Sequence, residues 1–178
     1  MNKARIFAWE IRGAIIISLL GSFLHFVFAI LGEWPPAALI AAVNESVWEH
    51  LKLAFWPALI YALIEWPFLR GKIKNFWTAK SFGISTMPVI ITAVFYGYKA
   101  LIGHNILWVD ISLFIFAVFV GQMFSYRLLL CQSFSSANKI LALILLVVMI
   151  AAFSLFTFFP PHYPLFCDSA TGQFGILR

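Results

Sequence analysis

Long apolar runs alternate with short polar breaks along this chain, and five of the runs are long enough to cross a bilayer, which takes about 20 residues. They cover approximately 13–33, 48–69, 83–103, 106–127 and 138–160. Each run is continuous and lacks the period-two alternation of a barrel strand. In lipid a backbone must satisfy its own polar groups, and a helix does so within one segment. The pattern therefore predicts an all-α integral membrane protein, a bundle of five transmembrane helices forming a single domain over 1–178, with an outer tail over 161–178. Residues 1–42 share a basic start with secretory signals, but their apolar core exceeds the usual length of about 7–15 residues. The first run is expected to stay as a span. "AALIAAV", after the Pro-Pro pair at 35–36, is too short to cross and is expected to lie along the outer interface or dip back into it.

Composition agrees with a bilayer as solvent. Hydrophobic residues make up 63% of the 178 and charged residues 11%, against about 45–50% and about 25% in an ordinary soluble domain. Apolar surface on this scale excludes a large separate soluble domain. The net charge of +5 reports topology rather than a nucleic-acid partner. With the N-terminus cytoplasmic and the C-terminus extracytoplasmic, Lys3, Arg5, Arg12, Arg70, Lys72, Lys74, Lys80, Arg127 and Lys139 fall inside and only Lys52, Lys99 and Arg178 outside. That is the distribution the positive-inside rule requires of a cell-membrane protein. The two cysteines, Cys131 and Cys167, then lie on opposite faces and cannot pair within one molecule. The sequence contains no CxxC, HExxH or Gly-rich phosphate loop.

Candidate chemistry collects at the outer end. "NESVWEH", residues 44–50, is the most polar stretch of the chain. Ser46 and Glu49 match the S-x-x-E capping box of a helix start, and Glu49 with Lys52 suits an i,i+3 ion pair. A cap does not need Glu45 or His50. His25 sits in "GSFLHFVF", well within the first run, where an ionisable group normally faces the bundle and has a partner. Glu45, Glu49 and His50 are its nearest polar supply. A His/Glu/His set can ligate a divalent metal such as zinc and leave a position for water, so His25, Glu49 and His50 are candidate metal ligands. Glu45, Glu49 and, from the tail, Asp168 are candidate catalytic carboxylates. Asp110 is expected to pair with Lys99, and Glu65 to reach towards Arg70 or Lys72. Pro57 is expected to free a carbonyl near position 53.

Three features together resemble an uncharacterised family of small prokaryotic multipass membrane proteins. They are the N-E-S-x-W-E-H-x-K motif at Asn44–Lys52, the D-x-x-T-G-x-x-G-I tail at Asp168–Ile176, and Gly21, Ser22, His25 and Phe26 in the first span. The resemblance covers nearly the whole chain. It implies that His25, the 44–50 motif and the tail form one feature, and it implies no reaction. The functional expectation is an outward-facing His/Glu site serving a hydrolase or transferase of a lipid or lipid-linked substrate, with membrane lipids as partners. The alternatives are a proton- or ion-coupled transporter subunit and a scaffold in which the motif is only a cap. Against the transporter, the inner halves of the spans look poor in polar residues, with Glu65 standing largely alone.

Overall fold

A computed structural model describes residues 2–131 and 133–176; Arg178, counted above among the outer basic residues, lies outside this range. The described chain is a bundle of five helices: α1 (Lys3–Ile30), α2 (Val47–Leu69), α3 (Phe76–Ile102), α4 (Leu107–Leu129) and α5 (Ser136–Phe158). Short 3-10 turns at Pro35–Leu39 and Pro164–Phe166 shape the chain before α2 and after α5. Helices α1, α3, α4 and α5 are long and apolar enough to cross a membrane, which makes this a multipass membrane protein. The remaining helix, α2, carries Glu49, Lys52 and Glu65, all buried. It packs between α1 and α3, so its polar side chains meet protein.

Close helix contacts follow from glycine and proline. Pro57 has no amide to bond the Leu53 carbonyl, and that carbonyl faces Gly21 of α1. A Cβ at position 21 would lie 2.4 Å from the Leu53 oxygen. Gly83 and Gly121 likewise let α3 and α4 approach, since a Cβ on either would lie 2.8 Å from the other's carbonyl oxygen. Small residues at such crossings are the usual means of packing membrane helices.

Several expectations change on inspection. Helix α1 begins at Lys3 and α3 at Phe76, well before the starts at 13 and 83 expected from apolarity. The added turns hold Glu10 and Lys80, which are buried and bonded to each other, so no loop is needed to solvate them. Lys80 is thus part of α3 and not of the α2–α3 loop. Glu65 turns towards Lys80, 2.5 Å away, and not towards Arg70 or Lys72. Asp110 accepts from Tyr98 and from Asn105, while the Lys99 ammonium lies over the Phe95 ring. The "AALIAAV" stretch is partly enclosed by the bundle, with Leu39 exposed. Ala37, Ala38, Ala41 and Ala42 are buried, packed against Phe28, Leu24, Leu53 and Ile176.

Candidate metal centre

The 44–50 segment is organised by its own side chains. Ser46 caps α2, its hydroxyl accepting from the Glu49 amide at 3.3 Å. Asn44 accepts from the Ser46 amide at 2.9 Å and donates to the Gly175 carbonyl at 2.8 Å. The Ser169 hydroxyl donates to the Glu45 carbonyl at 3.1 Å. Glu45 is therefore fixed from two directions, by the cap ahead of it and by the tail. His50 falls in the first turn of α2, and His25 projects from α1 beside it.

These placements bring three ligand atoms together. Nε2 of His25 and Nε2 of His50 are 3.2 Å apart. Glu45 Oε2 lies 3.7 Å from the first and 3.5 Å from the second. A tetrahedral zinc ion with bonds of about 2.0–2.1 Å spaces its ligands about 3.3–3.4 Å apart, so the triangle has the dimensions of one tetrahedral face. His50 Nδ1 lies 2.8 Å from the Ser46 carbonyl. As a donor there it leaves the Nε2 lone pair directed at the triangle, the outer-sphere bond typical of metal-binding histidine.

The triangle is accessible. The side chains of His25, His50 and Glu45 are 29%, 38% and 50% exposed, and a recess of about 320 Å³ adjoins them, lined by His25, Phe26, Phe28, Glu33 and Glu45 among others. A fourth ligand has room to enter. The Glu45 carboxyl is held below the usual carboxylate range, chiefly by the polar contact with His25 and secondarily by the charges of His50 and His25, against the opposing effect of partial burial. It is ionised at neutral pH, as ligation requires.

Glu49 and Asp168 lie outside the triangle. Glu49 is buried in an ion pair with Lys52 at 2.8 Å and accepts from Thr157 at 2.8 Å and the Val43 amide at 3.2 Å. Lys52 completes its shell with Thr157 at 2.7 Å and the Ala38 carbonyl at 2.6 Å. The capping box is accordingly half-formed: Ser46 bonds Glu49, but the Glu49 carboxylate reaches elsewhere. Asp168 is buried and closes the tail turn by accepting from the amides of Ala170 and Thr171. Sequence reasoning missed Thr157, an isolated hydroxyl near the end of an apolar run with nothing local to mark it. It also missed that Glu10, Glu65 and Lys80 meet.

The tail folds back over this end of the bundle. Phe166 packs on Trp48 and Phe156, and Ile176 joins the Phe28–alanine cluster. His25, residues 44–50 and the tail thus share one end of the molecule. No curated protein and no solved structure matches the chain. A family model, described as a family of unknown function (DUF6512), matches residues 1–176, and the chain belongs to that family.

Proposed function

We propose that His25, Glu45 and His50 bind a divalent metal ion, zinc by donor type, at the extracytoplasmic face of a five-span protein whose N-terminus is cytoplasmic. The observation that carries this reading is the Nε2–Nε2–Oε2 triangle with edges of 3.2, 3.5 and 3.7 Å. Two imidazoles and a carboxylate with an open fourth position form the ligand set of hydrolytic zinc sites. Glu45 takes the ligand role that the sequence suggested for Glu49, because Glu49 is committed to Lys52 and Thr157. The outward orientation rests on the basic residues gathered at the opposite end of the bundle.

A metal held there would lower the pKa of a bound water and supply a nucleophile. The recess beside it has Phe26 and Phe28 in its wall, and Phe23, Phe26 and Ile30 on the same helix are exposed apolar residues that face lipid in a membrane. A substrate approaching along that surface would present an ester or phosphoester at the depth of the headgroups. The proposed activity is therefore hydrolysis or transfer on a lipid or lipid-linked substrate. The test is metal content and zinc affinity of the purified protein, with cleavage of headgroup-labelled lipids in mixed micelles before and after chelation. One zinc per chain, lost in His25→Ala, His50→Ala and Glu45→Gln, and lipid cleavage that chelator abolishes and zinc restores, are expected. A metal-free protein whose zinc affinity is unchanged in all three variants would overturn the reading.

A further inference from the structure

A second polar cluster lies in the other half of the bundle. Lys80 Nζ on α3 is 2.5 Å from Glu10 Oε1 on α1 and 2.5 Å from Glu65 Oε2 on α2. All three side chains are essentially fully buried, at 2%, 0% and 0% exposure. Two ionised carboxylates against one ammonium leave one negative charge without compensation. A lone charge out of water costs several kcal/mol or more, and a buried group avoids that cost by changing its protonation state. The hydrogen-bonding inventory points the same way. Glu10 Oε2, Glu65 Oε1 and the Ser125 hydroxyl are buried without a hydrogen-bond partner, and Glu65 Oε2 has the Lys80 ammonium alone. The cluster therefore leaves carboxylate oxygens that no donor reaches in this arrangement.

From this geometry we infer that Glu10, Glu65 and Lys80 form a binding site for one proton, held between the two carboxylates at neutral pH. The added proton sits on an oxygen of one glutamate and is donated to the other or to Ser125. The remaining carboxylate and the Lys80 ammonium then form a balanced pair. A metal cation would restore neutrality too, but it would have to share the site with an ammonium that repels it, whereas a proton supplies the missing donor directly.

The surroundings leave the cluster's charge to its own members. On α1, Arg12 stacks on the Trp9 ring at 5.8 Å. On α2, the Tyr61 hydroxyl donates to the Trp9 carbonyl at 2.7 Å. On α4, Gln122 and Ser125 are buried and uncharged, Tyr126 packs edge-on against Phe7, and Arg127 lies in the last turn. On α5, Lys139 lines a recess of about 250 Å³ between the α2–α3 connection and the start of α3. Phe76 lines that recess too, and its ring lies 5.6 Å from Lys80 Nζ. The buried Phe76 ring thus adjoins both the Lys80 ammonium and the recess at the basic end of the bundle.

Infrared spectroscopy of the full chain in phosphatidylcholine vesicles tests this, because a carboxylic acid C=O stretch is resolved from ionised carboxylate bands. At pH 7 the wild type is expected to show one buried acid band that shifts in deuterium oxide. Glu10→Gln and Glu65→Gln should each abolish it, since each leaves a single carboxylate paired with Lys80. Both replacements are isosteric and should keep the helical circular dichroism of the wild type. Absence of the band in the wild type, or its survival in both variants, would overturn the proposal. So would a sodium-dependent rise in Tm without the band, which would assign the missing charge to a metal cation.

Discussion

Glu45 and Glu49, four residues apart on either side of the α2 cap, end up with different chemistry because only one of them is enclosed. Glu49 is shut in with Lys52 and Thr157, so removing one partner strands a buried charge. Lys52→Met should destabilise the protein by about 3–5 kcal/mol, whereas Ser46→Ala, which removes only the cap, should cost about 1 kcal/mol. Chemical denaturation in detergent separates the two. Glu45 is half exposed and free to meet a ligand. Its lowered pKa keeps it charged down to acid pH, so the imidazoles set the pH dependence of metal binding. Metal competes with protons for their nitrogens, so zinc affinity should fall as the pH is lowered. Titration calorimetry at pH 7.5 and 5.5 would show this as a large loss of affinity at the lower pH, and an equal affinity at both would exclude histidine ligation. At this scale the sequence was legible where polarity interrupts grease: His25 and the 44–50 motif stand out without any fold. Thr157, Glu10 and Lys80 do not, because their partners are remote in sequence and no local spacing encodes them.

Helix α2 shows what apolar patterning can and cannot say about an element. Its run is long enough to be read as a span, yet its polar residues set it apart from the four helices that meet the length and apolarity of a crossing segment. Those residues are tolerated because α1, α3, α5 and the segment ahead of α2 supply partners for them. The approach of α1 to α2 depends on Gly21. Gly21→Ala places a methyl group against the Leu53 carbonyl and should cost about 1–3 kcal/mol through overpacking, read as a lowered Tm. Gly97→Ala on α3, with no atom within 4 Å of the added carbon, should leave Tm unchanged or raise it. Pro57 was visible in the sequence as the source of a free carbonyl, but Gly21 as the residue facing it was not, since glycine is common in membrane helices for many reasons. Helices α1 and α3 begin before the apolar runs that start at 13 and 83 for a related cause. Apolarity marks where a segment can meet lipid, and these helices continue past that point by pairing Glu10 with Lys80 inside the bundle.

For the whole molecule, the two cysteines report orientation. Cys131 is exposed after α4 and Cys167 is half-buried in the tail, at opposite ends of the bundle. A membrane-impermeant thiol reagent added to intact cells should label Cys167 and spare Cys131, which should react only after permeabilisation. The reverse pattern would invert the proposed topology. The tail itself was legible as a companion of the 44–50 motif through the family resemblance, though not as the element that bonds Glu45 and Asn44. Deleting residues 161–176 should weaken zinc binding about 10–100-fold, the usual effect of losing groups that orient a metal ligand, while the helical content persists.

The Asn44–Gly175 and Ser169–Glu45 bonds also set an order of events during synthesis. Asn44 and Glu45 leave the ribosome early, and Gly175, which completes their support, follows 131 residues later. Until then the ligand loop is held from one side only. A chain cut short, or one whose last helix failed to insert, would carry all three ligands and still lack the groups that align them. The proposed site is therefore aligned only once residues 169–175 have been made and have folded back onto Asn44 and Glu45.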